Sequence, residues 1–148
     1  MNIRYCLLPA LLGLLHTPAF SQAKAPVTAM DFVKIKHGRR AEALYYFENN
    51  WKVYRDAALK KGYITSYSIL ATPADSAAGF ELVLITEYAD SVQYNLSEAR
   101  FEPIIKELRP NGPKLLNQVK PNDFRQNVFF KRATTVVHSA PRRVSGKH

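Results

Sequence analysis

Cysteine is almost missing from this 148-residue chain. The one copy, Cys6, lies close to the amino terminus. A domain formed by the rest of the chain therefore has no thiol, no disulfide and no thiolate metal ligand, and must hold itself by core packing. Acidic residues are also scarce, with 12 Asp+Glu against 21 Lys+Arg. No apolar run is long enough to cross a bilayer. The longest, Cys6 to Leu15, is interrupted by Pro9 and Gly13. No internal repeat is visible. The Gly-x-Ser-x-Gly elbow, the phosphate-binding loop and closely paired carboxylates are all missing. The common hydrolase and nucleotide-binding signatures are thereby excluded.

What is present begins with a leader. Residues 1–21 carry one positive charge (Arg4), then the short apolar run, then Ala19-Phe20-Ser21. Small residues three before and one before a cut near Ser21-Gln22 fit a secretory signal peptide. The expected location is periplasmic or secreted. Cys6 stands at the start of the apolar run instead of at its end, the wrong order for lipoprotein processing. Cleavage leaves 127 residues, enough for a single domain, expected over 22–140. The basic residues 141–148 are expected to form a disordered tail.

Removing Arg4 leaves 20 basic against 12 acidic residues. Lys34, Lys36, Arg39, Arg40 and the Arg142-Arg143 pair concentrate part of the excess. Such a balance allows adhesion to anionic envelope polymers. There is no long run of like charges and no nucleic-acid motif, so nucleic acid is not an expected partner.

Patterning predicts β-α-β-β-α-β. Residues 29–37 alternate with period two, placing Ala29, Asp31, Val33 and Ile35 on one face of a strand. A helix is expected over 39–61, with Leu44, Phe47, Trp51, Tyr54 and Ala58 on one face and Arg39, Glu42, Arg55 and Lys60 mostly off it. Gly62 is a good stop. Strands are expected over 63–71 and 80–89, joined by the loop 72–79 as an antiparallel hairpin. The LVLIT run inside 80–89 is apolar on both faces, as in a central strand. Asp90 or Ser91 is expected to cap a second helix over 91–108, with Pro103 either kinking it or dividing it into two short helices that meet near Glu102. A helical turn over 114–119 and a last strand over 123–138, bent near residues 131–133, complete the order.

This is the ferredoxin-like α+β class: one antiparallel sheet with two helices on one face. The other face would present Tyr, Phe and Ile, and an apolar sheet face needs a cover. A second copy, packed sheet face to sheet face, is the simplest cover, which predicts a homodimer.

The stretch from Asp31 to Leu70 resembles the opening of the dimeric α/β-barrel superfamily, in particular exported bacterial members of unknown function. Val33 to Gly38, Trp51 and Lys60-Lys61-Gly62 carry the resemblance, over residues 29–89; residues 90–138 resemble it by element order. The resemblance implies a dimeric α/β barrel with a ligand cavity between sheet and helices. It also implies a range of roles: cofactor-independent monooxygenases of aromatic substrates, haem-degrading enzymes, chlorite dismutase-like proteins and stress-responsive proteins.

Trp51, Tyr54, Tyr67 and Tyr88 are then the candidate ligand-binding residues, suited to a small apolar or aromatic molecule. The same stripe also fits plain core packing. Haem degradation in the resembling enzymes uses a histidine on a helix beside an asparagine and a tryptophan. His37, His138 and His148 all fall outside the expected helices, so no haem or other cofactor is expected. No metal site is expected either, because the histidines are far apart with no His-x-His spacing. Asp31 is the one candidate catalytic residue, as a base paired with Arg39, Arg55 or a tyrosine. An exposed acid at a strand start is the plainer use of the same residue. Three functions stay open: a ligand-binding or stress-related accessory domain, a cofactor-independent oxygenase, and an electrostatic binder of envelope polymers.

Overall fold

A computed structural model describes residues 25–73 and 79–137. The leader 1–21, the basic tail 141–148, His138 and His148 lie outside the described residues. The elements follow the expected order. Strand β1 (Val27–Ile35) leads into α1 (Arg40–Tyr46), a π-helical turn (Phe47–Trp51) and α2 (Lys52–Lys60). Strands β2 (Ser66–Ala71) and β3 (Leu82–Tyr88) come next. Then follow α3 (Ser91–Asn95), α4 (Ser97–Leu108), α5 (Pro121–Phe124) and β4 (Arg125–Thr134).

The four strands form one sheet in the order β2-β3-β1-β4. Every neighbouring pair is antiparallel. Connectivity and strand order together make this the ferredoxin-like α+β fold. Strand β3 is central, and Leu82, Val83, Leu84 and Thr86 are all buried there, which is why its apolar residues do not alternate.

Side-chain alternation divides the sheet into two faces. Val33, Ile35, Leu82 and Leu84 point to the helix side and pack with Ala43, Phe47, Trp51 and Phe124. A second cluster joins Val27, Tyr88 and Ile64 to Tyr54, Ala58, Phe101 and Ile104, fastening α2 and α4 to the sheet. The opposite face carries Met30, Phe32, Leu70, Ile85 and Phe129, with Phe80 beside them. Phe32 stacks on Phe129 at 4.3 Å between ring centres and meets Phe80 edge-on at 4.9 Å. Leu70 and Phe129 remain exposed there. Among the described residues no element covers this face.

Local signals explain most boundaries. Gly62, at φ +68°, ends α2 in a Schellman motif. Its N–H donates to Leu59 O at 3.0 Å and that of Tyr63 to Ala58 O at 2.9 Å. Asp90 caps α3 by accepting the Gln93 N–H at 2.8 Å.

Other expectations need correction. The second helix breaks at Leu96, not near Glu102, and Pro103 lies inside α4. Both Pro103 and Ala99, whose carbonyl the proline leaves unbonded, are exposed, so water can take the missing donor's place. Residues 114–119 are not helical. Asn117 and Gln118 have φ of +54° and +56°, which no right-handed turn accepts. The helix comes later, at α5, where Pro121 opens it. Strand β2 starts at Ser66 and not at 63, because Tyr63 still belongs to the helix cap.

The last strand is not bent where expected. Its irregularity lies opposite Phe32 and Val33, which pair with Phe129 and Asn127. Val128 is the extra residue of a β-bulge. It reverses the alternation, so Arg125 and Asn127 face the helices while Phe129 faces away.

Candidate active or binding site

The first helix changes character where the site lies. Over Phe47–Trp51 the backbone widens to a π-helical turn, and the Lys52 N–H reaches back to Phe47 O. The sequence there is Glu-Asn-Asn, and its two asparagines are poor helix formers whose amide groups compete for backbone partners. Asn49 Nδ2 donates to Tyr45 O at 2.9 Å and Asn50 Nδ2 to Tyr46 O at 3.0 Å. Such wide turns occur often at functional sites because they rotate the following side chains relative to a regular helix.

Trp51 and Tyr54 follow this turn and form one wall of a cavity of about 250 Å³. Tyr46 and Phe47 line it from the preceding turn, Leu84 and Asp31 from the sheet, Ile105 from α4. Three charged groups reach it: Asp31 from β1, Arg55 from α2 and Arg125 from β4, with Asn127 beside the last.

The Arg55 guanidinium lies 4.2 Å from the Trp51 ring centre and 4.5 Å from that of Phe101. This corrects the expectation that Arg55 lies off the packed face. Two aromatic faces hold the flat cation in the interior. Burial lowers its pKa to about 10, against the pull of Tyr88, Asp31 and Tyr54. It stays a cation at neutral pH. Among the described residues its hydrogen bonding is a 3.4 Å contact from Nε to Thr86 Oγ1.

Arg125 sits over Tyr46, 5.0 Å from the ring centre. Its Nη1 donates to Asn127 Oδ1 at 3.2 Å. Its Nε is buried without an acceptor among the described residues.

Asp31 is half-buried, and desolvation raises its carboxyl above the usual value despite the charges of Arg55 and Arg125. The ion pairs among the described residues are Arg39–Glu42, Lys52–Asp56 and Lys106–Glu102, each between residues three or four apart along the chain. Asp31 therefore feels both arginines but contacts neither as an ion pair. Arg39, an expected partner of Asp31, is engaged with Glu42 at 3.5 Å instead.

Two of the four candidate ligand-binding aromatics, Trp51 and Tyr54, line this cavity. Tyr67 does not. It meets Trp51 edge-on at 5.7 Å, and its hydroxyl bonds the Asp56 carboxylate. Burial pushes Asp56 upward, but hydrogen bonds from Lys52 and Tyr67 outweigh that and hold it below its usual range. Tyr88 is buried in the second cluster, edge-on to Tyr94 at 5.4 Å, and burial raises its hydroxyl pKa. Sequence reasoning missed Arg55 as a lining group, and Arg125, Asn127 and Tyr46 altogether. One signal was available for Arg55: it stands four residues after Trp51, the spacing at which side chains meet along a helix.

The basic group of the first strand and helix is partly used up. Lys36 Nζ donates to Asn122 O at 2.7 Å, Arg39 pairs with Glu42, and Lys34 and Arg40 are exposed. Among the described residues no group of three or more His, Cys, Asp or Glu is placed to hold a metal ion. No described helix is long and apolar enough to cross a membrane.

No protein-family model matches the chain, and no curated protein matches it. Solved structures do. One similar structure is a candidate antibiotic biosynthesis monooxygenase from Chloroflexus aurantiacus, 11% identical, with a TM-score of 0.43 over 78% of this chain and 98% of that one. Another is a dimeric ferredoxin-like protein from an uncultured marine organism, 14% identical, with a TM-score of 0.48 over 78% of this chain and 100% of that one. The fold assignment stands on this chain's own strand order and register.

Proposed function

We propose that this protein is an exported, homodimeric ligand-binding domain whose cavity between helix and sheet takes a small aromatic molecule. The observation that carries the binding reading is the cavity itself. Aromatic rings form its walls, and Asp31, Arg55 and Arg125 reach it without pairing among themselves. A site built only for packing would leave such groups out or pair them, since a buried charge without a partner costs stability. The homodimer is supported by the uncovered apolar sheet face around Phe32, Phe80 and Phe129. Export is supported by the leader-like residues 1–21.

Trp51 is the chain's one tryptophan and lines the cavity, so its fluorescence reports directly on occupancy. Native mass spectrometry of the protein from its own envelope is expected to give a dimer mass with retained ligand, released together with a change in Trp51 emission. A ligand-free protein whose Trp51 emission ignores small aromatic compounds overturns the binding reading. A stable monomer at micromolar concentration overturns the dimer.

One observation favours a second reading, a cofactor-independent oxygenase of an aromatic substrate. Asp31 stands at the cavity with its carboxyl held above its usual range, the tuning expected of a proton acceptor. Oxygen uptake that survives both Asp31→Asn and Trp51→Phe would sink this assignment.

A further inference from the structure

The cavity has a charge pattern that narrows its occupant. Two guanidiniums and one carboxylate line it, arriving from three different elements. With Asp31 ionised the three sum to a single positive charge. A monoanion balances this, whereas a neutral or cationic molecule leaves the site charged.

The donors are also unsatisfied. Arg125 Nε is buried and has no acceptor among the described residues, while its Nη1 makes a 3.2 Å bond to Asn127. Among the described residues Arg55 has one long bond, to Thr86. Both guanidiniums are planar and held by ring faces, Arg55 by Trp51 and Phe101, Arg125 by Tyr46. A fixed flat fork of donors matches a flat carboxylate better than it matches a single-point acceptor.

Size and walls set the remainder of the ligand. A volume of about 250 Å³ falls below the roughly 300–1,000 Å³ common for drug-sized ligands. Trp51, Tyr46 and Phe47 offer ring surface next to the arginines. The room suits one ring or two fused rings.

We infer that the ligand is a small aromatic monocarboxylate, its carboxylate on Arg55 and Arg125 and its ring along Trp51 and Tyr46. This rests on the cavity being a binding site, and it adds the chemical class. Asp31 then acts as the selecting group: it repels a second negative charge and so excludes dicarboxylates.

Calorimetric titration of the full protein at neutral pH with 2-naphthoate and its neutral isostere 2-naphthamide separates the two claims. The carboxylate is expected to bind at least about tenfold more tightly, as charge-assisted bidentate bonding requires. Arg125→Gln is expected to remove that preference, weakening naphthoate by far more than naphthamide. Arg125→Lys keeps the charge without the fork, and is expected to weaken naphthoate less than Arg125→Gln does. It also serves if the glutamine variant does not fold. Equal binding of both compounds overturns the carboxylate inference and leaves the binding reading standing. Naphthoate binding that both Arg125 variants leave untouched places the anion elsewhere and overturns the inference too. Binding of neither compound overturns inference and reading together.

Discussion

Asn50 holds Lys114 by both backbone groups. Its Nδ2 donates to Lys114 O at 2.9 Å, and its Oδ1 accepts the Lys114 N–H at 2.8 Å. The side chain is fully buried and imitates a strand partner for a loop 64 positions away. Oδ1 also accepts from Arg109 Nε at 3.1 Å, and the Arg109 guanidinium bonds Asn49 O. The π-helical turn thus fastens the segment between α4 and β4, and this segment leads to Arg125. Asn50→Ala leaves several of these groups without partners, and the expected cost is about 2–3 kcal/mol. Urea denaturation measures it, and hydrogen exchange at the Lys114 amide is expected to accelerate more than that of core β3 amides.

Asp31 predicts a pH dependence with a definite sign. Its folded carboxyl is raised by desolvation, so the folded state binds its proton more tightly than the unfolded chain does. Its contribution to stability is most favourable in acid. It falls as pH rises from the ordinary carboxyl value of 3.8 through the raised one. Asp31→Asn is expected to raise Tm at pH 7, with the gain disappearing near pH 3. Thermal melts across that range check it. An equal gain at both ends would assign the effect to packing and not to charge.

The uncovered sheet face carries the dimer prediction. Phe129 stacks on Phe32 and stays exposed in the protomer. Phe129→Asp places a charge in the middle of the face, where burial against a second copy would cost several kcal/mol. Sedimentation is expected to show dimers for the natural chain and monomers for the variant, with the far-UV spectrum unchanged. Dimers that persist would move the interface elsewhere.

Pro103 is expected to be a local weakness. It stands in the interior of α4, on an exposed position, and lacks the N–H that would meet the Ala99 carbonyl. Pro103→Ala restores that bond and is expected to add about 1–3 kcal/mol. Denaturant titration checks the direction. A loss of stability would show that the proline ring packs against a partner.

The order β-α-β-β-α-β, the central place of β3, the Gly62 stop and the Asp90 cap were all legible in the sequence. Each depends on local rules: period two or 3.6, a left-handed residue after a helix, a carboxylate before one. Trp51 and Tyr54 were also legible, since helical spacing puts both on the packed face. The cavity's cations were not. By spacing Arg55 falls off the apolar stripe, and only Trp51 and Phe101 together make an interior position tolerable for it. Phe101 comes from a helix that contacts α2 in three dimensions and not in sequence. Arg125 was hidden for a different reason. Strict alternation puts residues 125, 127 and 129 on one face. The bulge at Val128 breaks that rule and turns Arg125 and Asn127 inward while Phe129 stays outward. A bulge depends on the register of the neighbouring strand, here Phe32 and Val33, so alternation read along one segment does not reveal it. The near-absence of cysteine set how this chain must hold together, by apolar packing in a known order of elements. Where its charges converge was decided by tertiary pairing alone.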